Sequence, residues 1–161
     1  MSEGEDLQAG LERALELAYR HLGRRERTEA QLRRHLAGRE IREATIDATV
    51  QELMRQGYLD DARYARVFAE DRRSLDGWGS ARIENKLLAA GVDRELVANA
   101  VGGREPADEL EAAVALLRRR YRELPATDRE CERALALLVR KGYDLELAYD
   151  AVRAFARADA A

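Results

Sequence analysis

The stretch that decides the fold reads Gly57-Tyr58-Leu59-Asp60-Asp61-Ala62-Arg63-Tyr64-Ala65. Just before it, Ile46, Val50, Leu53 and Met54 recur at the spacing of one helical face. A glycine directly after such a face supplies the left-handed residue that closes a helix without a Cβ clash. Tyr58 and Leu59 are apolar in a link too short for a free loop, so both are expected to plug a core. Asp60 is placed to accept hydrogen bonds from the first free N–H groups of a following helix, and Asp61 adds favourable charge there. Ala62, Tyr64, Val67 and Phe68 then open the buried face of that helix. Gly57, Tyr58, Leu59, Asp60, Asp61 and Tyr64 thus read as the structural residues of a tight joint between two packed helices.

Working outward, the 161 residues are 46% hydrophobic and 37% charged with only two prolines, and no segment alternates in the manner of a strand. The class is all-α. A formal charge of −3 argues against a bulk polyanion binder, although net charge can hide a local patch. The single cysteine, Cys131, excludes an internal disulfide and suits helix packing in a reducing compartment. There is no apolar run of membrane-spanning length and no signal-peptide core near Met1, so the expected setting is cytoplasmic with no membrane partner.

Nine helices are expected. The first carries Leu7, Leu11, Leu15, Ala18 and Leu22 and ends near Gly23, after a frayed start from Met1 to about Glu5. Thr28 to Gln31 has the form of a capping box and opens a short second helix with Leu32 and Leu36. A third helix runs from about Arg42 to Gln56, and the joint leads to a fourth from about Asp60 to Leu75. After Gly77-Trp78-Gly79, Ser80 is the expected cap of a fifth helix that Gly91 closes, and Asp93 caps a sixth. Pro106 suits the first turn of a seventh, with Leu110, Val114, Leu117 and Tyr121 inward. Thr127 to Glu130 is a second capping box, Gly142 closes the eighth helix, and Asp144 caps the ninth, with Arg157 to Ala161 frayed.

Sliding the sequence by 51 residues superposes Leu36, Leu87 and Leu138, then Ile41, Val92 and Tyr143, then Ile46, Val97 and Ala148, then Val50, Val101 and Val152. The second and third copies share a glycine, Gly91 and Gly142, where the first has Glu40. The period implies three tandem three-helix repeats, each a long, a short and a medium helix, over residues 1–59, 60–103 and 104–161. One such repeat buries too little apolar surface to be comfortable alone, whereas three in series share stability through their junctions. Placed end to end they would make an elongated, curved body of roughly 60 Å, presenting a long face rather than a pocket.

No catalytic constellation stands out, and the expectation is a protein that is not an enzyme, with no metal and no cofactor. His21 and His35 lie on different helices without a cysteine or carboxylate at ligand spacing, so they read as packing or solvent-facing residues. Asp60 and Asp61 are explained by capping, and Gly77-Trp78-Gly79 lacks the strand and lysine of a phosphate loop. Trp78 reads equally as a core plug or an exposed anchor.

Basic clusters remain. From Tyr19 to Arg42 there are eight arginines against three glutamates. Arg118, Arg119, Arg120 and Arg122 form a second run, and Arg63, Arg66, Arg72, Arg73, Arg82 and Lys86 add charge between them. Any one of these can be a solvated side chain in an i,i+4 pair. Together, along one face, they suit a phosphate backbone or an acidic protein groove.

These residues resemble the RecX family, regulators of the bacterial recombinase RecA. Gly57 to Ala65 is similar to its Gly-Tyr-hydrophobic-(Asn/Asp)-Asp stretch followed by an aromatic and Ala. Leu22, Arg25, Thr28, Gln31 and Leu32 resemble its Leu…Arg…Ser…Glu-Leu pattern, with Thr28 and Gln31 departing from the usual serine and glutamate but keeping the capping chemistry. Gly79, Arg82, Ile83, Leu87, Gly91 and Val92 resemble its Gly-x-x-(Arg/Lys)-Ile…Leu…Gly-hydrophobic pattern. The resemblance implies three tandem three-helix repeats and binding in the groove of the RecA filament on single-stranded DNA. There such a protein inhibits strand exchange, ATP hydrolysis and coprotease activity, in the setting of DNA repair, homologous recombination and the SOS response. It also implies weak direct binding of single-stranded DNA. The interface residues expected on this reading are Arg24, Arg25, Arg27, Arg33, Arg34, Arg63, Arg82, Lys86, Arg118, Arg119 and Arg120, in a monomer. The rival readings are a helical DNA-binding protein that acts without RecA and a helical adaptor.

Overall fold

A computed structural model describes residues 3–158, so the expected fraying of Met1, Ser2 and residues 159–161 lies outside the described residues. Glu3 to Glu5, also expected to fray, are helical. Among the described residues there are nine helices and no strand: α1 (Glu3–Leu22), α2 (Glu29–Ala37), α3 (Glu43–Gln56), α4 (Asp61–Asp76), α5 (Ser80–Ala89), α6 (Arg94–Val101), α7 (Pro106–Arg120), α8 (Asp128–Lys141) and α9 (Leu145–Arg157). The expected long–short–medium order does not hold throughout: α8 has 14 residues and α6 only 8.

The 51-residue period is visible in the backbone. Gly91 donates to Leu88 O at 3.0 Å and Val92 to Leu87 O at 3.1 Å; Gly142 donates to Val139 O at 3.0 Å and Tyr143 to Leu138 O at 3.1 Å. Glu40 to Ala37 O at 3.0 Å and Ile41 to Leu36 O at 3.2 Å complete the set. Each is the paired hydrogen bond of a helix ending in a left-handed residue. Accordingly φ is 59° at Glu40, 84° at Gly91 and 96° at Gly142. The helices that follow begin at Glu43, Arg94 and Leu145, one period apart. Leu36, Leu87 and Leu138 are fully buried, as the superposed columns require. The first helix of each repeat keeps no such register, since it meets the rest through loops of unequal length.

Glu40 is the one described non-glycine residue with positive φ, and a side chain there costs about 1–2 kcal/mol. Glu40→Gly should therefore stabilise the chain by about 0.5–1 kcal/mol after the added freedom of the unfolded glycine is counted. Urea denaturation checks this through a higher midpoint at unchanged slope.

The chain folds as two compact units. One takes in the chain up to Ala65 together with Leu87–Leu96. Its core is Ala18, Leu32, Leu36, Ile46, Val50, Leu53 and Leu59. The other comprises Arg66–Lys86 and the chain from Val97 onward, with a core that includes Val114, Leu117, Leu138, Tyr143, Val152 and Phe155. Half-buried Cys131 packs against that second core as a free thiol.

Each unit contains the same docking contact, one period apart. In the first, the Thr28 hydroxyl donates to Ala90 O at 2.6 Å, and Gly91 sits so close to Ala30 that a Cβ on the glycine would fall 2.4 Å from the Ala30 Cβ. In the second, Gly79 N–H donates to Lys141 O at 2.8 Å and Ala81 N–H to Gly142 O at 3.1 Å. There a Cβ on Gly79 would fall 2.4 Å from Gly142 O. In both cases the start of a repeat's second helix presses on the left-handed turn of the next repeat. Gly79 faces backbone, and Gly91 and Gly142 face the Cβ atoms of Ala30 and Arg82, so none of the three has room for a side chain.

Candidate interaction surface

The joint from Gly57 to Ala65 is built partly as its residues suggest. Gly57 has φ 82° and closes α3, and Leu59 is buried. Asp60 Oδ1 accepts from Arg63 N at 2.9 Å, which is the expected cap of α4. Tyr58, however, is 57% exposed and rests edge-on against Tyr19 with ring centroids 5.5 Å apart, so it plugs no core. The core positions of α4 are Ala65 and Ala69, while Ala62 is exposed and Tyr64, Val67 and Phe68 are half-buried. Asp61 does more than add charge to its own helix. Its Oδ1 accepts from Glu29 N at 2.9 Å and so caps α2, an element 32 residues away.

Burial, then the nearby charges of Glu29 and Asp60, raise the Asp61 carboxyl above its ordinary 3.8, against the Glu29 hydrogen bond that lowers it. An acid with a raised folded pKa holds its proton more firmly in the folded state. Stability from this group is therefore highest below 3.8 and declines as pH rises through the raised folded value. Asp61→Asn keeps an acceptor without the charge and should remove that decline at a cost under about 0.5 kcal/mol, whereas Asp61→Ala should cost about 1 kcal/mol at acid pH and less as pH rises through the folded value. Denaturation midpoints from acid to neutral pH read both outcomes.

Other caps also come from a distance. Ser80 does not cap α5 with its own hydroxyl. The nearly buried Glu109 carboxylate accepts from Ser80 N at 2.8 Å and from Ser80 Oγ at 3.1 Å, and pairs with Arg104 at 3.4 Å. Asp144 occupies the N-cap position of α9 without a side-chain cap bond. Thr28–Gln31 and Thr127–Glu130 are complete capping boxes, and Asp93 accepts from Glu95 N at 2.9 Å.

The arginines divide by what already holds them. Arg33 bridges Glu29 at 3.0 Å and Asp47 at 2.6 Å, tying α2 to α3. Both nitrogens of the Arg63 fork donate to Gly57 O at 3.1 Å, and Glu26 lies 3.6 Å away. Arg82 lies 4.0 Å over the Trp78 ring and donates to Arg140 O at 3.1 Å. Trp78 is half-buried beneath that guanidinium, edge-on to Phe68, and is neither core plug nor free anchor. These three arginines act first as braces.

Arg24, Arg25 and Arg34 are exposed, and no described carboxylate lies within ion-pair distance of them. Arg27 beside them is half-buried, its Nε sealed from water and unpaired, and burial together with Arg25 and Arg24 lowers its pKa. Exposed Lys86 stands on α5, and exposed Arg118, Arg119 and Arg120 end α7, where positive charge complements the helix dipole. Arg120 lies 5.4 Å over the Tyr121 ring.

The first unit also has a groove of about 630 Å³ whose lining includes Met54, Leu59 and Leu96 beside Glu29, Asp60, Asp61 and Asp93. Arg33 also lines it, but the four carboxylates outnumber that charge and disfavour phosphate. Among the described residues no three metal-ligating side chains gather, and no helix is long and apolar enough to cross a membrane.

The model of the first three-helix domain of RecX matches residues 14–53, and that of the second matches residues 60–101. The chain belongs to the RecX family. It is 37% identical over 152 residues to the regulatory protein RecX of Thermobifida fusca, covering 92% of this chain and 80% of that one. With the regulatory protein RecX of Thermus thermophilus it shares 38% identity over 141 residues, covering 87% and 90%. The crystal structure of RecX from Lactobacillus salivarius superposes with a TM-score of 0.78 at 16% identity, over 92% of this chain and 97% of that one, a likeness of fold. RecX relatives are regulatory proteins, and the role that the family brings to this chain is a regulatory one. The first match ends at residue 53, just before the Gly57–Ala65 joint, and the second begins at residue 60, inside it.

Proposed function

We propose that this chain is a modulator, mainly an inhibitor, of the recombinase RecA. On this reading it lies along the groove of the RecA–single-stranded DNA filament and lowers strand exchange, ATP hydrolysis and coprotease activity. The motifs shared with the RecX family, together with the regulatory role of its members, support this choice of partner. The observation that carries the contact is the set Arg24, Arg25 and Arg34, which are exposed and held by no described carboxylate. Such charges are available to phosphate or to an acidic groove without first breaking a pair inside the protein. In the second unit Lys86, Arg118, Arg119 and Arg120 are exposed and belong to the proposed contact as well, while Arg27, Arg33 and Arg63 are held inside the first unit and Arg82 inside the second. No catalytic step is needed: occupancy of the groove is enough to obstruct it.

The test is RecA-driven strand exchange with increasing amounts of the purified protein, alongside binding to the filament and to bare single-stranded DNA. Inhibition that tracks filament occupancy is expected, with the bare strand bound weakly. Unchanged exchange at saturating protein would overturn the reading. Tight binding to the bare strand with no effect on RecA would instead favour a DNA-binding protein that acts alone.

A further inference from the structure

His21 in the last turn of α1 and His35 in α2 stack face to face, with ring centroids 3.8 Å apart and planes 8° from parallel. The pair lines a cavity of about 60 Å³ together with Leu17, Arg20, Arg24 and Arg39. The charges facing the imidazoles are cationic from each side: Arg20 on α1, Arg24, Arg25 and Arg27 from the link after it, and Arg39 after α2. Arg20 is paired with Glu16 at 3.1 Å, and α3, packed on both helices, places no side chain in the lining. Burial lowers both histidine pKa values below the ordinary 6.5, helped at His21 by His35 and then Arg27, Arg24 and Arg25, and at His35 by Arg39, Arg27 and Arg24.

Stacked neutral rings ringed by guanidinium groups form a site that carries more charge once an anion enters it. An oxyanion between Arg24, Arg39 and the ring edges screens the imidazoles from the arginines and from each other, and accepts their N–H bonds once they are protonated. The cavity has room for a small anion and not for a nucleobase.

We propose that His21, His35, Arg20, Arg24 and Arg39 form a site for one phosphate of a nucleic-acid backbone, and that the site takes up protons as the phosphate binds. The inference goes beyond the recombinase reading and does not require it. By linkage, affinity then rises as pH falls, and each unit by which the anion lifts a histidine midpoint contributes tenfold across the titration.

The test follows both imidazoles by NMR in the full chain from about pH 5 to 8, in sulfate and in chloride at matched ionic strength. Sulfate is the first probe because its own charge is constant over that interval, so any proton uptake belongs to the protein. Both histidine midpoints should rise in sulfate relative to chloride, and sulfate affinity should be at least about tenfold stronger at the acid end. Arg39→Gln, at an exposed position, should weaken sulfate binding across the whole range. His35→Asn should weaken the pH dependence, and His21→Asn combined with His35→Asn should leave binding that no longer varies with pH. A short oligothymidylate should reproduce the midpoint shifts. Midpoints equal in sulfate and chloride would overturn the site, and shifts with sulfate but none with oligothymidylate would overturn its assignment to a nucleic-acid backbone. Proton-coupled binding that survives undiminished in a folded variant carrying both His21→Asn and His35→Asn would remove the imidazole pair from the explanation.

Discussion

Gly142→Ala should lower the stability of the chain by about 3 kcal/mol, a fall in melting temperature on the order of 10 °C. Two causes add. The residue has φ 96°, where a side chain costs about 1–2 kcal/mol. Its new Cβ would also lie 2.2 Å from the Arg82 Cβ and 2.6 Å from the Arg82 nitrogen. Relief requires α5 to retreat, which strains the bonds from Gly79 to Lys141 and from Ala81 to Gly142. Gly57→Ala is the matched comparison, with φ 82° and no atom within 4 Å of the added Cβ. It should lose only the backbone contribution. Because Arg82 covers the single tryptophan, Trp78, the Gly142 variant should also alter indole fluorescence while the Gly57 variant does not. Equal losses in thermal denaturation would show that the docking contact yields without cost.

Reversing Arg24, Arg25 and Arg34 together to glutamate should weaken filament binding about 100-fold at low salt, with most of the loss in association rate. All three are exposed and outside the ion pairs of the fold, so the melting temperature should move by no more than a degree or two. If the contact is with backbone phosphate, the salt dependence should flatten as well, by roughly two in the logarithmic slope for three lost contacts to a single strand. Isotherms at several salt concentrations measure both quantities. Arg33→Gln differs in kind, since it opens the bridge between Glu29 and Asp47 and should be felt in stability first. A triple variant that binds the filament with unchanged affinity and slope would take these arginines out of the interface.

Much of the architecture was legible because helix ends are local events. Thr28 with Gln31 and Thr127 with Glu130 satisfy one another within three residues, and their chemistry can be read without knowing where the helices go. The period of 51 residues was legible for a related reason: the leucine before each turn and the residue after it are joined by one hydrogen bond. Glu40 shows the strength of that rule, since the chain takes the left-handed turn there without a glycine. Tyr58 was misread because hydrophobic character alone does not say whether a side chain meets a core or the edge of Tyr19.

The basic surface was legible only as a density of arginines. Which of them are free depends on partners far along the chain, such as Asp47 for Arg33 and Arg140 O for Arg82. The same holds for the aspartate that caps another helix, for Glu109 at the start of α5, and for the histidine stack. None leaves a signal in residue spacing, because each joins faces of helices whose approach is set by packing.

From the amino-acid order alone follow the all-α class, the helix ends, the repeat and the motifs of the family, since all rest on interactions spanning a few residues. The tertiary arrangement settles the rest: which turn receives which helix, which charges are spent inside the fold, and where two imidazoles meet. Those outcomes turn on contacts such as Thr28 to Ala90, 62 residues apart, where a side-chain hydroxyl reaches a backbone carbonyl only because packing has brought two repeats together.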